Sequence, residues 1–203
     1  MLRELFDKHQ CDKGKKHSYD LFYQKEFEKD RLNSFNILEI GIFKGASAKS
    51  WIEYFPNCIF YCIDITINDE VKNFIDHPRI KYLEFDSTDR NITEKIKNIW
   101  NIEFDIVIED GLHTPEANQK TFENIFPLLK KNGRYYIEDF FPIHLMSIQD
   151  FESKSGKWAK KNKNWDIQKV QNFLNFISQY NFDTFDNRYR SNEQDSFIIK
   201  VTK

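Results

Sequence analysis

The chain has 203 residues, 40% hydrophobic and 16% aromatic with 20 Phe, the length and apolar content of one domain with a single core. This excludes a disordered chain despite 31% charged residues, and a formal net charge of −2 supplies no global field to recruit nucleic acid. Cys11, Cys58 and Cys62 are odd in number, two of them within the apolar run CIFYCID, and no apolar run is long enough for a signal peptide or membrane span, so the expectation is a cytoplasmic protein with buried thiols and no membrane partner.

The charged start, MLRELFDKHQCDKGKK, reads as helical. FNILEIG is then a short apolar run ending in glycine, and ASAKSWIEYF has the apolar spacing of a helix. The alternation recurs: CIFYCIDI before NDEVKNFID, RIKYLEFD before NITEKIKNIW, and FDIVIEDG before PEANQKTFENIFPLLKK. A fifth strand, GRYYIEDF, follows a Lys-Asn-Gly helix stop. Ile-, Phe- and Tyr-rich strands without strict alternation, separated by helices, predict a doubly wound α/β parallel sheet covered on both faces. DIQKVQNFLNFISQYN reads as a last helix, and FDTFDNRYR and DSFIIKVTK as two strands joined by SNEQ, a closing antiparallel hairpin. A single domain over 1–203 is expected, with residues 140–165 too long for an ordinary connection and read as a lid or substrate loop.

In such a sheet ligands bind beyond the carboxyl ends of the strands. Gly41 and Gly45 in LEIGIFKGAS would let backbone approach a ligand, with Glu39 inside the strand end; the pattern is not GxGxxG and fits a packing turn equally well. Asp64, followed by Ile65, lies where a carboxylate accepts both hydroxyls of an adenosine ribose. Asp86 and Ser87 end the third strand where an adenine amino group is read, whereas Asp89 before NITEK is expected to be a helix cap. No Tyr is followed by Lys four residues later, which removes the catalytic pair of short-chain dehydrogenases, and the hairpin favours S-adenosylmethionine (SAM) over a nicotinamide.

Asp110, Glu138 and Asp139 would end neighbouring strands, where their oxygens converge on one point. An unpaired cluster of that kind raises its pKa values or binds a cation, and oxygen donors favour Mg²⁺, with Mn²⁺ or Ca²⁺ as substitutes. The plainer alternative pairs Glu138 with a lysine and uses Asp110 to cap the helix at Thr114. His113, three residues past Asp110, is the candidate general base, and His144 a weaker one.

The runs DKGKKHSYDLFY, LEIGIFKGASAKSW, FDIVIEDGLH and GRYYIED resemble the metal-dependent sugar O-methyltransferases of the mycinamicin and macrocin type, related to the cephalosporin hydroxylase-like group, over roughly Asp12 to Asp139. The resemblance implies a seven-stranded SAM methyltransferase fold with SAM and Mg²⁺ (or Mn²⁺) as cofactors. It implies Asp110, Glu138 and Asp139 as metal ligands and an N-terminal segment, 1–34, that covers the cofactor with Lys13, His17 and Tyr19; with His113 read as the base, Asp110 and His113 are the expected catalytic pair. It departs after Phe140 and in lacking the long N-terminal extension of the mycinamicin-type enzymes. The expected partner is a small carbohydrate, with exposed Phe-rich helix faces allowing a homodimer. Lys154, Lys157, Lys160, Lys161 and Lys163, interleaved with Trp158 and Trp165, suggest an anionic, nucleotide-linked or phosphorylated sugar used in polysaccharide or capsule decoration. A catechol methyltransferase and an NAD-binding protein that transfers no methyl group remain as alternatives.

Overall fold

The computed structural model describes residues 1–153, 157 and 166–203. Three helices, α1 (Leu2–Lys8), α2 (Asp12–Lys15) and α3 (Asp20–Phe27), precede the sheet. Strands and helices then alternate through β1 (Asn36–Ile40), α4 (Ala46–Tyr54), β2 (Ile59–Asp64), α5 (Asp69–Lys72), β3 (Ile80–Glu84), α6 (Ile92–Ile99), β4 (Phe104–Glu109), α7 (Pro115–Ile125) and β5 (Leu129–Ile137). The remainder comprises α8 (Ile148–Glu152), α9 (Ile167–Ile177), β6 (Asn181–Asp186), α10 (Arg188–Ser191) and β7 (Phe197–Thr202).

The seven strands lie in the order β3-β2-β1-β4-β5-β7-β6, parallel through β5, with β7 antiparallel to both β5 and β6. Strand order reverses between β1 and β4, and there the crossovers part to leave a crevice beyond the strand ends. The period-2 alternation of the strands distributes their side chains between two cores. Ile37, Ile106, Ile108 and Tyr136 face one side, with Trp51 of α4 and with Leu2, Phe6, Tyr23 and Phe27 of the N-terminal helices. Leu38, Ile40, Val107, Tyr135 and Ile137 face the other, with Phe122 of α7 and Val170 and Phe173 of α9.

The N-terminal helices are short, so packing rather than propensity holds them. Leu2, Phe6, Tyr23 and Phe27 are fully buried, each contributing about 2 kcal/mol of apolar transfer. Phe6, Tyr23 and Phe27 each meet Trp51 edge to face at 5.2–5.9 Å.

Several local expectations are corrected. The helix after β4 ends at Ile125, because Pro127 cannot continue it. Lys130 to Gly133 then belong to β5 as a bulge, not to a helix stop: Asp105 alone of β4 spans the step from the Phe104–Leu129 pair to the Ile106–Arg134 pair. Its carboxylate accepts from Lys130 Nζ at 2.9 Å. The expected strand 182–190 ends at Asp186: the Asn187 backbone N–H still donates to the Ser196 carbonyl at 2.9 Å, its side-chain Nδ2 donates to the carbonyls of His17 and Ser18 at 2.5 and 2.9 Å, and the stretch after it coils into α10. The helix expected over NDEVKNFID shrinks to the four residues of α5.

The premise for a homodimer also changes. Of the 20 Phe, only Phe43 is exposed; the rest are buried or half-buried. The three cysteines are free and buried, as expected. Among the described residues no helix is long and apolar enough to cross a membrane. Lys154, Trp158, Lys160, Lys161, Lys163 and Trp165 of the expected lid lie outside the described residues.

Candidate active site

A cavity of about 480 Å³ opens at the carboxyl ends of β1 to β4. Gly41, Asp64, Ile65, Asp86, Ser87 and Asp110, six of the residues expected at a cofactor, line it. Its loops are held from within. Asp64 Oδ2 accepts the backbone N–H of Ile42 and Phe43 at 2.8 and 3.0 Å, which folds the turn after β1 back over β2. Asp86 Oδ1 accepts from Thr88 N and Oγ1, both at 2.8 Å, and Ser87 Oγ meets Thr121 Oγ1 of α7 at 3.0 Å. Gly41 has a φ of +81°, and a Cβ there would lie 2.0 Å from the carbonyl oxygen of Asp110. Only glycine permits that crossing of β1 and β4.

Gly45 does not line the cavity. It precedes α4 with a φ of +75°, and a Cβ would meet the Phe74 ring at 2.3 Å, so its constraint is packing and backbone conformation. Glu39 does not reach the cavity either. Strand alternation sends it to the side of Ile37, where it is fully buried, accepts from Ser47 Oγ at 2.7 Å and is raised to about 7 by burial, with Lys13 acting against the rise.

The same alternation explains the paired carboxylates. Glu109 follows Val107 to the opposite face, where Asn118 Nδ2 and Tyr135 Oη donate to it at 2.7 and 2.6 Å, and burial pushes it up to about 8. Asp110 and Glu138 fall on the face of the N-terminal helices. β4 thus ends with one carboxyl group for each side of the sheet. Asp139 turns out of this register through a left-handed φ of 52°, and His113 has a φ of 55°, strained conformations that cost about 1–3 kcal/mol each and gather at functional sites.

Asp110, His113 and Asp139 bring one ligand atom each within 4.8 Å of one another. His113 Nε2 is 3.6 Å from Asp110 Oδ1, and its buried Nδ1 has no hydrogen-bond partner among the described residues. Burial raises Asp139 to about 6, with His113 acting downward and Asp110 upward. Glu138 stands behind this trio. Lys13 Nζ donates to its Oε2 and Tyr23 Oη to its Oε1, so the lysine partner of the plainer alternative exists. The helix after β4, however, is capped by Thr114, whose side chain accepts from Ala117 N at 3.3 Å, and not by Asp110.

The three N-terminal residues expected at the cofactor contact the carboxylates. Lys13 Nζ also donates to Asp110 Oδ2 at 2.5 Å and lies 3.4 Å from Glu39 Oε1. Burial opposes its charge, but the three carboxylates outweigh burial and hold its pKa well above the ordinary value. Tyr19 Oη donates to Asp139 Oδ1 at 2.8 Å. His17 stacks on Tyr19, with Nε2 3.3 Å from Asp139 Oδ2 and Nδ1 2.9 Å from Ser196 Oγ, and burial together with Lys16 pulls it down to about 4. No residue of 1–34 is among those lining the cavity. His144 lies in the 3₁₀ turn Ile143–Leu145, lowered by burial and Arg188, and is neither in the trio nor on the cavity wall.

Tyr23, Glu109 and Asn118 were not singled out from sequence. Tyr23 stood within DKGKKHSYDLFY, four residues after Tyr19 and hence on the same helical face; that spacing was the available signal.

Comparison with known proteins places this arrangement. No family model matches the chain. It is 30% identical over 151 residues to the mycinamicin VI 2''-O-methyltransferase of Micromonospora griseorubida, covering 70% of this chain and 37% of the relative. The same identity and coverage hold for the demethylmacrocin O-methyltransferase of Streptomyces fradiae, so the chain spans little more than a third of the curated relatives it matches. The structure of the MycE methyltransferase of the mycinamycin pathway, in complex with Mg and SAH, superposes with a TM-score of 0.71 at 23% identity, over 98% of this chain and 53% of that one. An O-methyltransferase family protein from Burkholderia thailandensis gives 0.60 at 10% identity, over 98% and 61%.

The seven-stranded sheet, with its reversal at β1/β4 and its antiparallel end, is the class I SAM methyltransferase fold. Within that class the chain is a sequence relative of the mycinamicin- and macrocin-type sugar O-methyltransferases.

Proposed function

We propose that the chain is a SAM-dependent, divalent-metal-dependent O-methyltransferase for a sugar hydroxyl. One observation carries the reading: Asp110 belongs both to the wall of the cavity and to the Asp110–His113–Asp139 trio. A methyl donor in the cavity and a hydroxyl at the trio would therefore meet at one residue. The relatives named for transfer to sugar hydroxyls, and the neighbour bound to Mg and SAH, support the same assignment.

Asp64 and Ile65 would border the ribose, Asp86 and Ser87 the adenine, and Gly41 would give close backbone approach. The cofactor's chemistry is that of a sulfonium methyl donor. Asp110 and Asp139, with Glu138 behind them, would hold the cation; carboxylate oxygens with open positions suit Mg²⁺ or Mn²⁺, and a cation there supplies Lewis acidity to a hydroxyl that is otherwise a poor nucleophile. Three acidic side chains, Glu39, Asp110 and Glu138, face one buried ammonium, and Asp139 lies beside His17, so carboxyl groups outnumber the cations among them, a donor set that fits a divalent ion. His113 would take the proton, its Nε2 turned toward Asp110 and its position fixed by the turn before α7. Lys13, Tyr19 and His17 orient the carboxylates.

The finer substrate reading is an anionic, nucleotide-linked or phosphorylated sugar, supported by the alternation of lysine and tryptophan over 154–165 in the sequence, with polysaccharide decoration in the cytoplasm as its setting.

The test is the melting temperature with SAM, with NAD, and with each plus Mg²⁺ or EDTA, followed by methyl transfer to sugar and catechol acceptors. A rise with SAM and sugar methylation that EDTA abolishes is expected. A rise with NAD alone would overturn the reading, and transfer to catechols but not sugars would replace its acceptor.

A further inference from the structure

We propose that Lys13 is a positioning residue of the carboxylate cluster: a resident monovalent cation that keeps the site folded without metal and so limits how tightly a divalent ion is held. This rests on the metal-dependent reading above.

The placement of Lys13 is unusual for a lysine. It is 1% exposed, whereas lysine is almost never fully buried unless it is paired. Its ammonium touches Asp110 and Glu138 and approaches Glu39, residues from the ends of three different strands. The residue is held from the other side as well. Arg3 Nη1 donates at 3.2 Å to both the Gly14 carbonyl and Asp20 Oδ1, tying α2 to α1 and α3. The ammonium therefore cannot leave without disturbing helices that are locked by the aromatic core around Trp51.

Asp110 divides its two oxygens between two tasks. Oδ2 faces Lys13, while Oδ1 faces His113 and the trio. A divalent ion at the trio would share a carboxylate with the ammonium, and the two cations repel through it. Glu138 has both oxygens engaged, by Tyr23 and Lys13. The ammonium thus offsets part of the negative charge that would otherwise fall to the metal, and the metal remains exchangeable.

The experiment compares wild type, Lys13→Met, Lys13→Arg and the charge-balanced double variant Lys13→Met/Glu138→Gln in the full chain. It reads Mn²⁺ affinity by calorimetry and melting temperature in EDTA and in Mn²⁺. Lys13→Met is expected to bind Mn²⁺ about tenfold tighter or more. It should melt about 5 °C or more lower in EDTA, with Mn²⁺ restoring most of the loss. Lys13→Arg should stay within about threefold of wild type, because it keeps the charge. The double variant should regain melting temperature in EDTA relative to Lys13→Met, since it removes one of the three carboxyl groups that the single variant leaves without the ammonium; if Lys13→Met does not fold in EDTA, this gain carries the test.

Unchanged or weaker Mn²⁺ binding by Lys13→Met, or a double variant no more stable in EDTA than the single one, overturns the role of Lys13 alone. A wild type that binds SAM but not Mn²⁺ overturns the metal reading together with it.

Discussion

The two halves of the candidate site lie at the same edge of the sheet but are built on opposite terms. In the cavity, Asp64 accepts backbone N–H groups of the neighbouring loop after β1 and Asp86 one of its own loop, and the walls remain open to a ligand. In the carboxylate cluster, Asp110, Glu138 and Asp139 receive Lys13, Tyr23, Tyr19 and His17 from an N-terminal segment more than ninety residues earlier in the chain. The cavity is a local construction repeated at successive strand ends. The cluster is a long-range one, and it exists because burial of the N-terminal helices carries donors to charges that would otherwise repel each other.

This contrast predicts which changes stay confined to one half. The largest effect is expected at the shared residue. Asp110→Asn should lower methyl transfer by about 10²–10³-fold, comparable to the loss of one preorganised electrostatic group, while SAM binding measured by calorimetry falls only a few-fold. Equal losses of both would erase the division.

A smaller, one-sided effect is expected at the other edge of the cavity. Asp64→Asn should weaken SAM roughly tenfold to a hundredfold, the range for a hydrogen bond to a charged group, and leave Mn²⁺ affinity unchanged in the same titration. A parallel loss of Mn²⁺ would mean that the two halves are coupled through the Asp64 loop.

The smallest effect concerns pH. Glu109 and Glu39 are raised to about 8 and about 7 in the fold by burial, against about 4.3 for an unfolded glutamate. Between about pH 4.5 and 8 the native state keeps protons that the unfolded chain has released, so each group's contribution to stability declines as pH rises. His17, lowered to about 4, works in the opposite direction below about pH 6.5, and the decline is therefore clearest above that value. Urea denaturation in EDTA should show stability falling from pH 6.5 to 8, and Glu109→Gln should flatten the upper part of the fall. An unaltered slope in Glu109→Gln would remove Glu109 as its source.

The strands and the crossover helices were legible because their apolar residues recur at sequence-local spacing, and the places of Asp64, Asp86 and Ser87 on the cavity wall were legible because a strand end is a position in the chain as much as in space. The β5 bulge was not: LLKKNG has the residues of a helix stop, and only pairing with β4 and β7 draws them into a strand. That Gly45 and Glu39 lie off the cavity wall was not legible, because the sequence does not reveal that Phe74 packs over one, or which face of β1 the other takes.

The sequence by itself determined the alternation of strands and helices, the closing antiparallel strands and the carboxylates at the ends of β4 and β5, since each depends on local periodicity and turn chemistry. Only the tertiary structure decided that Glu109 and Asp110 part to opposite faces, that Asp110 joins the cavity to the trio, and that Lys13 stands among three carboxylates. Those relations follow from the pleat of adjacent strands and from helices anchored on Trp51, and no spacing along the chain encodes a distance across it.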